Sequence, residues 1–396
     1  MPTRFPLLFL PLLLLGSTPC ATQPTLSGTI LLDPDGEWAT KIYLIQPDRW
    51  ADLTTSYVGT VIDSATINAD GSFSFTSLLE NDEPVVLQLA VQRKGEPFLN
   101  RLDNDNPALS NYFPIVWQKQ MSVEIVAEAA QLQQSLQMEN PDPQNAAMLG
   151  LRDIRLAAFQ EYLKVYNQIG ESEEDLLTLE DAVLQYQRSL MRFSEESAHL
   201  LPALTAIRWM STSRNYERIA EFMVAQAERW QKRAKGHPWV VEFSQLTDRE
   251  KLPVLVGDFI PNMLLPLVSG GEEELRSLLG EKLTLVDIWA SWCAPCRIQN
   301  KEYLLPLWEE YRRAGFGIVA YGLESSSQAW IEAIIADTGF RWYHASHLQG
   351  DDSPFIDRLR ITTIPANFLL DENGRIVAKN LHSEELVEFV KAWMER

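Results

Sequence analysis

Val286-Asp287-Ile288-Trp289-Ala290-Ser291-Trp292-Cys293-Ala294-Pro295-Cys296-Arg297 joins an apolar strand directly to a Cys-x-x-Cys, and a helical pattern follows from Gln299 to Arg313. This spacing sets Cys293 at the end of a strand and the start of a helix. Unpaired backbone N–H groups and the helix dipole there favour thiolate over thiol. Cys296 follows almost one turn further in, close enough to close a disulfide and more shielded from solvent. The chain has only three cysteines, two of them here. A lone pair does not complete a four-ligand zinc site without histidines at matching spacing, and none flank it. A purely structural disulfide is the alternative, but a four-residue loop removes little chain entropy. Redox chemistry is the favoured reading.

Two further motifs bracket this stretch. Val256-Gly257-Asp258-Phe259-Ile260-Pro261-Asn262 precedes it, and Thr363-Ile364-Pro365-Ala366-Asn367-Phe368-Leu369-Leu370-Asp371 follows. In this order, with Trp292-Cys-x-x-Cys between them, they resemble the thioredoxin superfamily, and specifically the TlpA/ResA-like thiol–disulfide oxidoreductases of the bacterial cell envelope. The likeness covers roughly Leu255 to Arg396. It implies a cis peptide bond before Pro365 that faces the disulfide. Cys293 is then the nucleophile that forms a mixed disulfide, and Cys296 the thiol that resolves it. Backbone groups of Ile364 would pair with the substrate chain like an edge strand, and Trp292 would shield one side of the site. The expected partners are disulfide-bearing envelope proteins and a membrane thiol-reductant donor, with cytochrome c maturation as one pathway. No cofactor is expected.

Two carboxylates stand out beside the cysteines. Asp287 interrupts the apolar run Leu285-Val286-Asp287-Ile288-Trp289, so desolvation should raise its pKa toward neutrality. In thioredoxin the matching position holds an aspartate thought to exchange protons with the resolving cysteine. An unpaired buried carboxylate is costly, which favours a functional role over simple burial. Glu324, in Val319-Ala320-Tyr321-Gly322-Leu323-Glu324-Ser325-Ser326, matches an acidic residue near the disulfide in ResA-like proteins. The alternative for Glu324 is a residue that starts a helix beside Ser325.

The first residues read as an export signal over residues 1–20. Arg4 is followed by a short apolar core from Leu7 to Leu15, interrupted by Pro11 and too short to span a bilayer. Cys20 stands where cleavage would leave an acylated first residue, with simple cleavage nearby as the alternative. The expected location is the periplasm or cell envelope, soluble or lipid-anchored to the membrane. Outside the cytoplasm a reducing Cys pair must be recharged across the membrane. The net charge of −20 argues against nucleic-acid binding, which needs a basic stripe to neutralise phosphates.

Length and patterning predict a multidomain chain: an N-terminal antiparallel β-sandwich (23–128), a middle α-helical bundle (129–250) and a C-terminal α/β thioredoxin fold (252–396). Short strands are expected at Thr25–Leu32, Lys41–Ile45, Val58–Asn68, Ser72–Thr76, Pro84–Gln92 and Met121–Ala127. Asp63 to Phe75 reads as a hairpin with Asp70-Gly71 at its turn. The β region resembles the domain often found ahead of thioredoxin modules in Bacteroidetes-type envelope proteins. Tyr43, Trp50, Tyr57, Tyr112 and Trp117 could form a binding face, although core packing is the commoner role of such aromatics. Helical faces are expected through Leu151, Ile154, Ala158, Tyr162 and Val165, and through Tyr216, Ile219, Met223 and Ala227. A spacer or docking bundle is the expected role.

Other classes weaken on inspection. His344 and His347 lie in a predicted strand, where a separation of three sets them on opposite faces and disfavours a metal site. His199, His237 and His382 are scattered, and no Ser-His-Asp set or phosphate-binding loop stands out. A peroxiredoxin would need Thr or Ser three residues before its reactive cysteine, where this chain has Ala290. A disulfide oxidase or isomerase shares the Cys-x-x-Cys. A non-catalytic envelope interaction protein is a third class, against which the intact Cys pair and Pro365 speak.

Overall fold

Alternation along Ser122–Glu128, with Val123, Ile125 and Ala127 buried and the residues between them exposed, makes a strand with one wet face. The computed structural model describes residues 25–33, 36–54, 59–100, 106–164, 173–211 and 216–396. The expected leader with Cys20, as well as Tyr57 and Val165, lies outside them. Eight described strands precede residue 140: β1 (Thr25–Leu31), β2 (Trp38–Gln46), β3 (Thr60–Thr66), β4 (Ser72–Ser74), β5 (Val85–Arg93), β6 (Tyr112–Trp117), β7 (Ser122–Glu128) and β8 (Gln137–Glu139). They form two sheets, ordered β4-β1-β7-β8 and β3-β2-β5-β6.

Three sequence expectations are corrected here. The strands are not all antiparallel, because β1 and β7 run parallel. Gly28 lies opposite Ile125 in that pair, where an added Cβ would fall 1.9 Å from the Ile125 carbonyl oxygen. The segment Asp63–Phe75 is not a paired hairpin. Its turn exists, with the Gly71 N–H donating to the Asn68 carbonyl at 2.9 Å, but β3 pairs with β2 whereas β4 pairs with β1. The turn therefore carries the chain from one sheet to the other. The Asp63 carboxylate secures the return by accepting from the N–H groups of Thr76 and Ser77, both at 2.8 Å. Finally, β6 and β8 were not anticipated. Pro114 interrupts β6, all six of its residues are buried, and no alternation marks it.

Helices follow: α1 (Leu132–Ser135), α2 (Pro143–Ala158), α3 (Glu173–Glu196), α4 (Leu200–Met210), α5 (Ala220–Arg233) and α6 (Pro238–Leu246). Asp142 caps α2 by accepting from the Gln144 N–H at 2.9 Å, with Pro143 at the first helical position. One continuous buried core links these helices to the sheets, running from Leu26 to Phe243. The Asn145 side chain joins α2 to β6 by bonding both peptide groups of Val116, each at 2.8 Å. The Trp50 indole donates to the Leu204 carbonyl at 2.8 Å. Trp50, Tyr112 and Trp117 are thus core residues, and Tyr43 is half-buried. On the expected face of α2, Leu151 and Ala158 are buried, but Ile154 turns to solvent at 36% exposure. Ile219, Met223 and Ala227 are buried as expected, with Tyr216 just ahead of them.

The remaining elements are β9 (Leu264–Pro266), β10 (Glu272–Glu274), β11 (Leu283–Trp289), α7 (Ala294–Gln299), α8 (Leu305–Tyr311), β12 (Phe316–Gly322), α9 (Ser327–Asp337), β13 (Tyr343–Ala345), α10 (Pro354–Leu359), β14 (Ala366–Asp371), β15 (Ile376–Lys379) and α11 (Ser383–Met394). Their main sheet has the order β13-β12-β11-β14-β15. β11 runs parallel to β12 and antiparallel to β14. A second buried core, from Val254 to Met394, surrounds this sheet. Among the described residues, no helix is long and apolar enough to cross a membrane.

Candidate active site

All seven residues of β11 are buried, as expected of a central strand covered on both faces. The strand ends at Trp289, and Ala290-Ser291-Trp292 leads to Cys293, which caps the N-terminus of α7. Pro295 occupies the first turn, where its missing N–H costs nothing. The Cys296 N–H donates to Cys293 Sγ at 3.3 Å. The two sulfurs are joined, S–S 1.98 Å, with the Cα atoms 5.3 Å apart. Cys293 is 5% exposed and Cys296 1%. The helix begins at Ala294, directly after Cys293 as expected, and continues through a wide turn at Asn300–Leu304 into α8. Arg297 fastens α7 to α9 through a two-pronged pair with the Asp337 carboxylate, at 2.7 and 2.8 Å.

Asp287 lies mid-strand, opposite Ala320 on one side and Asn367 on the other. It is 1% exposed, and its Oδ2 is buried without a hydrogen-bond partner. Burial pushes its carboxyl up to about 8. Glu324 is 2% exposed and bonds Ser291, two residues ahead of Cys293. It accepts from the Ser291 N–H, and at 2.9 Å from the Ser291 hydroxyl. Burial raises the Glu324 pKa, and these bonds oppose the rise. Glu324 does not start the next helix: Ser326 caps α9 by accepting from the Ala329 N–H. The structure therefore brings Glu324 to the loop that carries Cys293 rather than to a helix end.

The antiparallel register pairs Ile288 with Ala366. One residue further along, Pro365 meets the end of the strand that leads to Cys293. The Ile364–Pro365 bond is cis. Trp292 stands 66% exposed, so it projects from the site rather than covering it. His344 is buried in β13, stacked on Trp342, and burial pushes it down to about 4. His347 lies beyond β13 and pairs its Nδ1 with the Tyr321 hydroxyl at 2.5 Å. His382 donates from Nδ1 to Gln299 Oε1 on α7 at 2.7 Å.

Two residues that the sequence did not suggest also reach the site. The single turn Glu217–Ile219, ahead of α5, lies against the segment before Pro365. Glu217 bonds Thr362 and Thr363, and Arg218 Nη2 donates to the Pro365 carbonyl at 2.7 Å. A Glu-Arg pair in a helical region reads as an exposed, solvated pair, and only the tertiary contact identifies it. In addition, α3 packs on α7.

This part of the chain is similar to known proteins. A family model described as thioredoxin-like matches residues 280–376. The thiol-disulfide oxidoreductase ResA of Bacillus thuringiensis (strain Al Hakam) is 24% identical over 149 residues, covering 38% of this chain and 81% of that protein. ResA of Bacillus subtilis (strain 168) is 25% identical over 121 residues, 31% of this chain and 64% of that protein. A solved thiol-disulfide oxidoreductase from Bacteroides fragilis shares 30% identity and covers 34% of this chain and 98% of its own, with a TM-score of 0.32.

Proposed function

The C-terminal part of this chain is a thioredoxin-like thiol–disulfide oxidoreductase domain, and from that premise we propose that the protein reduces protein disulfides in the bacterial cell envelope. The observation that carries this reading is the Cys293–Cys296 disulfide at a helix N-terminus, following the strand that holds the buried Asp287 and pairs with the strand after the cis Ile364–Pro365 bond. In the reduced protein, Cys293 thiolate attacks a substrate disulfide, forming a mixed disulfide and releasing one substrate thiolate. Cys296 thiolate then attacks the Cys293 sulfur, closes the internal disulfide and releases the second substrate thiolate. Two electrons pass to the substrate, and a thiol donor restores the pair.

Asp287 serves the Cys296 proton in this scheme. A carboxyl that titrates near 8 is mostly protonated at pH 7. It is therefore suited to protonate Cys296 as the internal disulfide opens, and its ionised minority to accept the proton when Cys296 attacks. Glu324 is the second candidate for proton transfer, and its bonds to Ser291 also steady the Cys293 loop. Backbone groups of Ile364 would receive the substrate chain beside Pro365, with Trp292 at the rim.

We further propose export through residues 1–20, with either lipid attachment at Cys20 or simple cleavage nearby, and a membrane thiol-reductant as donor, with apocytochrome c among the candidate substrates. In the same reading the mature chain divides at 23–128, 129–250 and 252–396. One experiment tests the core of the proposal. Cys296→Ser should trap mixed disulfides with envelope proteins, whereas Cys293→Ser should trap none. Equal trapping by both would sink the assignment of nucleophile and resolving thiol. Titration against glutathione gives the direction: a potential above about −180 mV would move the reading from reductase to oxidase or isomerase.

A further inference from the structure

The segment Thr362-Thr363-Ile364-Pro365 is held from outside its own core. Glu217 Oε2 accepts from the Thr362 N–H at 2.9 Å and from its hydroxyl at 2.7 Å. Glu217 Oε1 accepts from the Thr363 hydroxyl at 3.1 Å. On the far side of Ile364, Arg218 donates to the Pro365 carbonyl at 2.7 Å. A carboxylate and a guanidinium adjacent in sequence thus grip both flanks of one residue. Among the described residues, no hydrogen bond is made by the N–H or C=O of Ile364 itself. Those are the two groups that an extended substrate strand would use.

The same neighbourhood is built from the first two-thirds of the chain. Arg218 lies close enough to His382 for its charge to add to burial in holding that imidazole neutral. His382 in turn bonds Gln299 on α7. α3 packs on α7 as well. The 362–365 segment and α7 are therefore both met by residues outside the thioredoxin-like unit. Ile364 itself stays partly exposed between them.

We propose that Glu217 and Arg218 are positioning residues that fix the 362–365 segment in shape for a polypeptide disulfide to pair with Ile364. The proposal rests on the oxidoreductase reading above, and it makes that reading specific to extended protein segments. Small disulfides need no backbone pairing and gain nothing from the grip. Charge-assisted hydrogen bonds are strong, and loss of their hold on the loop should be felt in binding rather than in sulfur chemistry.

The test uses the full-length reduced chain in single-turnover reactions with a disulfide-bridged peptide and, separately, with 5,5′-dithiobis(2-nitrobenzoate). Arg218→Gln and Glu217→Gln should each raise the half-saturating peptide concentration by about tenfold. The limiting rate, the reaction with the small disulfide and the potential against glutathione should stay within about twofold. Arg218→Lys, which keeps a cationic donor, should recover most of the loss and provides the test should Arg218→Gln fold poorly. Unchanged peptide saturation in these variants would overturn the proposal, as would equal loss with both substrates. A faster peptide reaction would also overturn it, by showing that the contact shields the site. If the wild-type chain opens neither disulfide, the oxidoreductase reading falls and the positioning role falls with it.

Discussion

Asp287 is the residue whose burial most directly predicts behaviour. Its folded-state pKa of about 8 lies well above the ordinary 3.8, so the native state binds its proton more tightly than the unfolded chain does. The stability this confers is complete below about pH 4 and is lost as pH rises through about 8. Denaturant unfolding of the wild type across that range should show the decline, and Asp287→Asn should flatten it. In the same variant, stopped-flow resolution of the mixed disulfide should slow by about 10–100-fold near neutral pH. Attack by Cys293 should change much less, because the helix terminus stabilises its thiolate. An unchanged resolution rate would transfer the proton to Glu324 or to water. The cysteines, Asp287 and Pro365 were legible as residues because each breaks a local pattern. Glu217 and Arg218 break none: their meaning comes from residues about 145 positions away.

At the scale of elements, α7 is tied to α3, to His382 and to α9, and the Arg297–Asp337 pair is the tie to α9 that a single substitution removes. The Asp337 side chain is 1% exposed and that of Arg297 33%, so the bond is partly shielded from water. Asp337→Ala should cost about 1–3 kcal/mol, read from chemical denaturation. A loss within experimental error would mean that water replaces the carboxylate without penalty. The strands show where sequence reading runs out. β7 announces itself by alternation, whereas β6 is buried on both faces and contains a proline. The Asp70-Gly71 turn was correctly located, but a turn signal does not say which sheet receives the next strand. Phe73, opposite Gly28 of β1, and Phe75 lie in the same buried core as Ala65 and Ile67 before the turn, so burial alone does not mark the change of sheet.

Among the described residues the molecule has two large buried cores, one from Leu26 to Phe243 and another from Val254 to Met394, with two small buried clusters beside them. Calorimetry should accordingly resolve two transitions, with Asp337→Ala lowering only the one that belongs to the second core. A single transition that shifts as a whole would show that the contacts between the units bind them into one cooperative system. Those contacts are apolar as well as polar: Ala220 of α5 is buried together with Leu252 and Leu255. Beyond Glu217 and Arg218, Lys379 is buried, and its ammonium pairs with Glu221 at 2.9 Å and the Val254 carbonyl at 3.0 Å. The sequence signalled the content of the units, through the switch from strand to helix periodicity and back. The polar contacts that join them were silent, because surface charges carry no record of what they will face.

The order of the two cores along the chain has a consequence for biogenesis. Translation begins at the N-terminus, and domains generally fold as units in the order they emerge. Every residue of the first core precedes Cys293. The nascent thiols therefore appear only after the neighbouring scaffold can already be standing. When Thr362 and Pro365 follow, the surface bearing Glu217 and Arg218 is there to receive them, and a later part of the chain is shaped against an earlier one.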